Sequence, residues 1–132
     1  MAHTADIGLQ LQGPTPAAIF EQAALGLYSL MTDRRRLRAR QLREAAVSAP
    51  DQEALLVAWL NHLLYLFDTE GFLGKQVAVL ELTATTLTAH LKGEPFDPER
   101  HPQKTGIKAA TYHHLSLHPI PGGWEATVIL DL

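Results

Sequence analysis

The 132-residue sequence contains no cysteine, which removes disulfide scaffolds, cysteine nucleophiles and thiolate metal sites together. It has no excess of positive charge. A formal net charge of −3 gives no global electrostatic case for nucleic-acid binding, which shows as a strongly basic domain. No stretch approaches the roughly 18 apolar residues of a membrane span, and no basic start followed by an apolar run marks a secretory leader. The expected compartment is the cytoplasm. There is no Walker loop, no G-x-G-x-x-G opening a helix, and no elbow-like glycine context around Ser29, Ser48 or Ser116. Neither a phosphate-cradling nucleotide site nor a serine nucleophile with its base is therefore expected. Repeats, low-complexity tracts and linkers are also missing, so residues 1–132 read as one domain.

What is present is a chain with a real core: 46% of its residues are hydrophobic and 19% charged. Residues 7–12 (IGLQLQ) alternate apolar and polar, as a half-buried strand does. Gly13-Pro14 breaks it, Thr15 suits a helix cap, and Pro16 suits a first turn. Ile19, Ala23, Leu27 and Leu30 then recur at helical spacing, predicting an amphipathic helix over 15–33. An arginine-rich connector at 34–43 leads to a short strand at 44–49. Pro50-Asp51 opens a second helix whose apolar face includes Leu55, Leu56, Trp59, Leu63, Leu66 and Phe67, and Gly71 ends it. Strands are predicted at 76–82 and 86–92 as a hairpin, then at 108–120 and 124–132, with 93–106 a loop rich in proline and charge. The order predicts an α+β fold: a mixed, largely antiparallel sheet of about six strands packed with two main helices.

Chemistry has few places to sit. Asp6 puts a carboxylate at the start of a strand that must be buried, and Asp131 with the carboxylate after Leu132 puts two more negative charges at the end of the last strand. If the first and last strands pair, these oxygens gather, and oxygen ligands without thiolate or imidazole suit a hard cation such as calcium or magnesium. Like carboxylates repel, so a cation or a change in protonation must relieve them. On spacing alone the plainer reading comes first: Asp6 is a strand-edge residue capping a turn, and Asp131 frays into solvent. A histidine zinc site finds little support. His114 and His118 fall roughly 13 Å apart along a strand at about 3.3 Å per residue, and His113 points to the opposite face. His62 lies on an apolar helix face, and His3 and His101 have no spaced partner. The run RRRLRARQLR holds six arginines, whose forks match phosphate oxygens. Without interleaved aromatics to stack bases it reads first as a solvated connector, with RNA or partner contact as the alternative. Lys108 follows a glycine turn, where it is either solvated or an anchor for an anionic partner.

The segments HTADIG, AALGLYSLMTD, ALLVAWLNHLLYLFDTEGF, IKAATYHHL and GGWEATVILDL, in this order over nearly the whole chain, resemble the archease family. The resemblance implies a small cytoplasmic protein that is not an enzyme. It would activate the RNA ligase RtcB in tRNA splicing and RNA repair, promoting guanylylation of the ligase and its repeated turnover. It further implies a divalent cation, calcium first, held by Asp6, Asp131 and Leu132: side-chain oxygens from the aspartates, a main-chain or terminal oxygen from Leu132. Asp33 and Lys108 would join that charged rim as partner contacts, and tRNA would be met through the ligase. An older reading of the family implies a chaperone or modulator of tRNA-modifying methyltransferases. A stand-alone RNA-binding role would be led by Arg34, Arg35, Arg36, Arg38 and Arg40. A metallohydrolase would need a general base beside the cation. The sequence departs from the family in having only Met1 and Ala2 before HTAD, and in the arginine content of 34–43.

Overall fold

A computed structural model describes residues 5–132. Strand β1 (Asp6–Gly13) leads into helix α1 (Pro16–Met31), a short 3-10 turn (Arg34–Arg36), strand β2 (Gln41–Ser48) and helix α2 (Gln52–Glu70). Strands β3 (Phe72–Leu82), β4 (Thr86–Pro95), β5 (Ala109–Ile120) and β6 (Gly123–Asp131) follow. The class is α+β, with six strands and two main helices as expected. The strands, however, divide into two three-stranded antiparallel sheets, β1-β6-β5 and β2-β4-β3, with no parallel pairing among them. Alternation identifies a strand but carries no information about its partner, which is why a single mixed sheet was expected.

The helices begin and end where local chemistry requires. Thr15 Oγ1 accepts the Ala18 N–H at 3.1 Å and Pro16 takes the first turn of α1. Asp51 Oδ1 accepts the Ala54 N–H at 2.8 Å to open α2, and Gly71, at φ 70°, closes it in the left-handed conformation glycine tolerates. α1 packs on β1 and β3, and α2 on β5 and β2, so the helix pair bridges the two sheets. Trp59 fastens the helices together, donating from Nε1 to the Phe20 carbonyl at 2.9 Å inside the core. One cluster of buried side chains draws on both helices and both sheets; it includes Phe20, Leu27, Trp59, Leu63, Phe72 and Val128.

Three boundaries differ from the sequence expectation. β2 starts at Gln41, β3 starts at Phe72 directly after the helix cap, and β4 continues to Pro95. Phe72, Leu73 and Gly74 are all buried, so the two-residue period that reveals a strand is absent there. Gly93 and Gly74 face each other across β3–β4, and a Cβ on Gly93 would lie 1.9 Å from the Leu73 carbonyl oxygen. Only glycine permits that approach.

Candidate functional site

β1 and β6 pair over their full length, from Asp6 opposite Asp131 to Gly13 opposite Trp124, so the two ends of the described chain meet. Ile7, Leu9 and Leu11 point toward the core with Leu130, Val128 and Ala126, while Asp6, Gly8, Gln10 and Gln12 take the outer face. Asp6 therefore does not interrupt the buried pattern. It continues the polar phase of the strand, and its cross-strand neighbour on the same face is a second carboxylate. The Leu132 N–H donates to the Ala5 carbonyl at 3.1 Å, which makes the adjacent Asp6–Asp131 pair the closer, non-hydrogen-bonded kind, with Cα atoms about 4.5 Å apart in such pairs. No hydrogen bond or ion pair from the described residues reaches either carboxylate.

A second strand end and a crossing segment complete the rim. The Lys108 N–H donates to the Asp131 carbonyl at 2.8 Å, and Ala109 faces Asp131 across β5–β6. Upstream, the Lys104 and Thr105 N–H groups satisfy the Met31 and Leu30 carbonyls at 3.0 Å each, and Lys104 Nζ reaches the Ser29 carbonyl at 2.9 Å. Residues 104–108 thus run from the C-terminal end of α1, where a cation is favoured, to the end of β6. On the helix side of this end the segment walls a pocket of about 290 Å³ with Leu132, Lys108, Asp68, Phe67 and Met31 in its lining; Asp6 and Asp131 do not contribute to it.

Of the sequence-predicted site residues, Asp6, Asp131, Leu132 and Lys108 come together at this end. Asp33 stands apart at the end of α1 with its carboxylate already engaged. It accepts from the Arg35 guanidinium at 2.9 and 3.0 Å and from the Arg35 N–H at 3.1 Å. The Arg35 side chain, with a smaller contribution from Lys104, holds it below the usual carboxylate range, at about 2. The donor set at the strand ends, two open aspartates with the main-chain oxygen of Leu132 nearby, fits a hard divalent cation. Among the described residues no group of three His, Cys, Asp or Glu side chains is placed to hold a metal, so the aspartates would need main-chain, terminal or solvent oxygens beside them.

The histidines are dispersed. His62 is half-buried against Tyr65, and its pKa is lowered by that burial. His118 meets Glu125 at 3.3 Å, and His3 lies outside the described residues. His113 and His114, expected on opposite faces of a regular strand, have ring centroids 4.2 Å apart. The β5–β6 ladder is irregular between Thr111 and Ser116, and His114 adopts φ 52°, which breaks the alternation.

Sequence reasoning missed a buried polar cluster behind the arginine-rich segment. Glu94, only 4% exposed, accepts from the Arg100 guanidinium at 2.9 and 3.0 Å and from the Arg38 N–H at 2.7 Å. Its Oε2 also lies 3.1 Å from His101 Nε2. Because His101 Nδ1 accepts the Asp97 N–H at 2.8 Å, the ring proton sits on Nε2 and is donated to Glu94. Arg100, outweighing the opposing effect of burial, holds Glu94 down to about 2. The available signal was a carboxylate one residue after Gly93 with Arg100 and His101 in the same loop.

The whole chain, residues 1–132, matches the Archease protein family (MTH1598/TM1083). A protein archease of Methanosarcina mazei is 38% identical over all of this chain and 93% of its own length. A protein archease of Thermococcus gammatolerans is 42% identical over 98% of this chain and 94% of its own. The solution structure of Methanobacterium thermoautotrophicum protein 1598 superposes with a TM-score of 0.81 at 33% identity, covering 100% of this chain and 96% of that one.

Proposed function

The chain belongs to the archease family, and from that premise we propose that it is a non-catalytic, cytoplasmic activator of the RNA ligase RtcB. In this reading it promotes ligase guanylylation and repeated turnover with a divalent cation, calcium first, at Asp6, Asp131 and Leu132. The observation that carries the reading is the cross-strand pair Asp6–Asp131: two carboxylates on one sheet face, without protein donors among the described residues, beside Leu132 and Lys108. When bound, the cation supplies the positive charge that lets two like carboxylates stay ionised side by side.

The chain's own residues do the rest. The β1–β6 ladder fixes the spacing of the two aspartates, and the Lys108 N–H bond to the Asp131 carbonyl holds the strand end in place. Lys108 is exposed and tied to this end through its backbone N–H; its side chain would add a second sign of charge near the strand ends, available to an acidic or phosphorylated group on the ligase. Asp33, committed to Arg35 and apart from the strand ends, would meet the ligase as a separate contact.

The test is multiple-turnover RNA ligation at limiting ligase, with GTP and divalent ion supplied, with and without this protein. Product per ligase is expected to rise, and to fall back to the unassisted level with Asp6→Ala or Asp131→Ala. Full stimulation by both variants would contradict the reading.

A further inference from the structure

Six of the seven arginines lie between Arg34 and Arg43, leaving five basic residues against all fourteen acidic ones in the rest of the chain. Residues 34–40 form a connector, Arg43 already belonging to β2, and the connector's backbone is fastened from behind. The Arg36 and Leu37 N–H groups close the 3-10 turn onto the Asp33 and Arg34 carbonyls at 3.0 and 3.1 Å. Buried Glu94 takes the Arg38 N–H at 2.7 Å, the Gly93 carbonyl takes the Arg40 N–H at 3.1 Å, and Arg100 Nη2 donates to the Arg36 carbonyl at 3.1 Å. Arg34 and Lys75 exchange bonds with each other's carbonyls at 3.1 and 2.9 Å, and Leu37 is buried beneath.

The head groups are treated differently from the backbone. Arg36, Arg38 and Arg40 are exposed, and none of their guanidinium groups has an ion pair or hydrogen bond among the described residues. The Arg35 side chain is 90% exposed beside Asp33. Buried Glu94 is spent on Arg100, and the Asp97 carboxylate accepts the Glu99 N–H at 3.0 Å; neither pairs with the Arg36, Arg38 or Arg40 guanidinium groups. A buried carboxylate that binds the main chain of Arg38, and leaves its charge unneutralised, orders the segment without cancelling its field. A solvated connector needs no such anchorage. Ordering the backbone in advance lowers the entropic cost of binding.

Arg36 ends the 3-10 turn and Arg38 and Arg40 follow at alternate positions beyond extended Leu37; alternate residues of extended backbone lie about 6.6 Å apart, comparable with the separation of successive phosphates along one nucleic-acid strand. Only Leu37 and Ala39 intervene, and the aromatic ring of Phe72 is covered by Arg43, whose guanidinium carbon lies 4.9 Å from the ring centre. Stacking on bases is therefore not provided for; forked contacts to phosphate are. We propose that residues 34–40 are a binding site for the phosphodiester backbone of a nucleic acid, gripped through Arg36, Arg38 and Arg40 without reading its sequence. The site does not depend on the cation site at the strand ends.

The test uses the full chain, a fluorescently labelled RNA hairpin and a DNA hairpin of the same sequence, followed by anisotropy between 50 and 200 mM salt. Wild type is expected to bind with an affinity that falls steeply with salt. The variant Arg36→Gln/Arg38→Gln/Arg40→Gln should bind roughly 100-fold more weakly at about 0.1 M salt, with the log–log salt slope reduced by about 3. Its thermal melting and calcium binding should match wild type, which separates this proposal from the ligase reading. Tighter binding of RNA than DNA, or equal binding, identifies the nucleic acid while supporting the backbone site. No binding by wild type, an unchanged slope in the triple variant, or displacement of the RNA by poly-glutamate at equal charge concentration would overturn it, the last in favour of an acidic protein partner.

Discussion

Glu94 and the Asp6–Asp131 pair place carboxylates in one small framework under opposite conditions. Glu94 is buried and saturated, receiving two guanidinium bonds, one backbone N–H and a histidine proton. Asp6 and Asp131 lie on the outer face of a sheet, side by side, with no donor from the described residues. A saturated carboxylate is structural: removing it strands its partners. An open pair is costly to keep unless something outside the chain interacts with it, so the same functional group marks a strut in one place and a candidate ligand in the other. The contrast also explains why burial and hydrogen bonding, and not charge alone, separate the two roles.

The contrast can be broken hardest at the saturated end. Gly93→Ala would drive a Cβ to 1.9 Å from the Leu73 oxygen, beside Glu94. Destabilisation on the order of 4 kcal/mol or more, or failure to fold, is expected in urea titration. Glu94→Ala leaves His101, Arg100 and the Arg38 N–H unpartnered and should cost about 3 kcal/mol. Because Glu94 is depressed from 4.5 to about 2 in the folded protein, its stabilising contribution is complete above pH 4.5 and drains away as pH falls toward 2. Thermal melts of Glu94→Gln should lack that part of the acid dependence.

At the open end the expectation is reversed. Calcium at 100-fold over its dissociation constant should stabilise wild type by about 2.7 kcal/mol and leave Asp131→Asn unmoved, read as the shift in melting temperature. Asn61→Ala is intermediate, since Asn61 clasps Ala110 of β5 through both its amide atoms at 2.8 and 3.1 Å. A loss of about 1–2 kcal/mol with calcium binding retained is expected. Smallest of all, Asp6→Asn without calcium should raise stability by about 0.5 kcal/mol, the cross-strand repulsion that it removes. A large change there would make Asp6 a strut like Glu94 and erase the distinction.

The two regions also differ in how much of them could be read from sequence. Both helices were legible because periodic leucines, Thr15, Asp51 and Gly71 are local signals, and β1 and β6 were legible by alternation. The division into two sheets was not, since partner choice depends on contacts far apart in the chain. Asp6 and Asp131 stood out as acids at strand ends, yet their meeting depended on a register that only the fold supplies. Glu94 escaped notice for the opposite reason. A charged residue before a proline, in a loop-like stretch, reads as exposed, and its burial depends on Arg100 and His101 folding back over it.

The open carboxylates are read most directly by amide chemical shifts during calcium titration of the isotopically labelled full chain. Shifts confined to residues 5–7, Lys108, Ala109, Asp131 and Leu132, saturating at one ion per chain and absent in Asp131→Asn, are the expected result. Unchanged spectra in wild type, or identical shifts in wild type and Asp131→Asn, would contradict it.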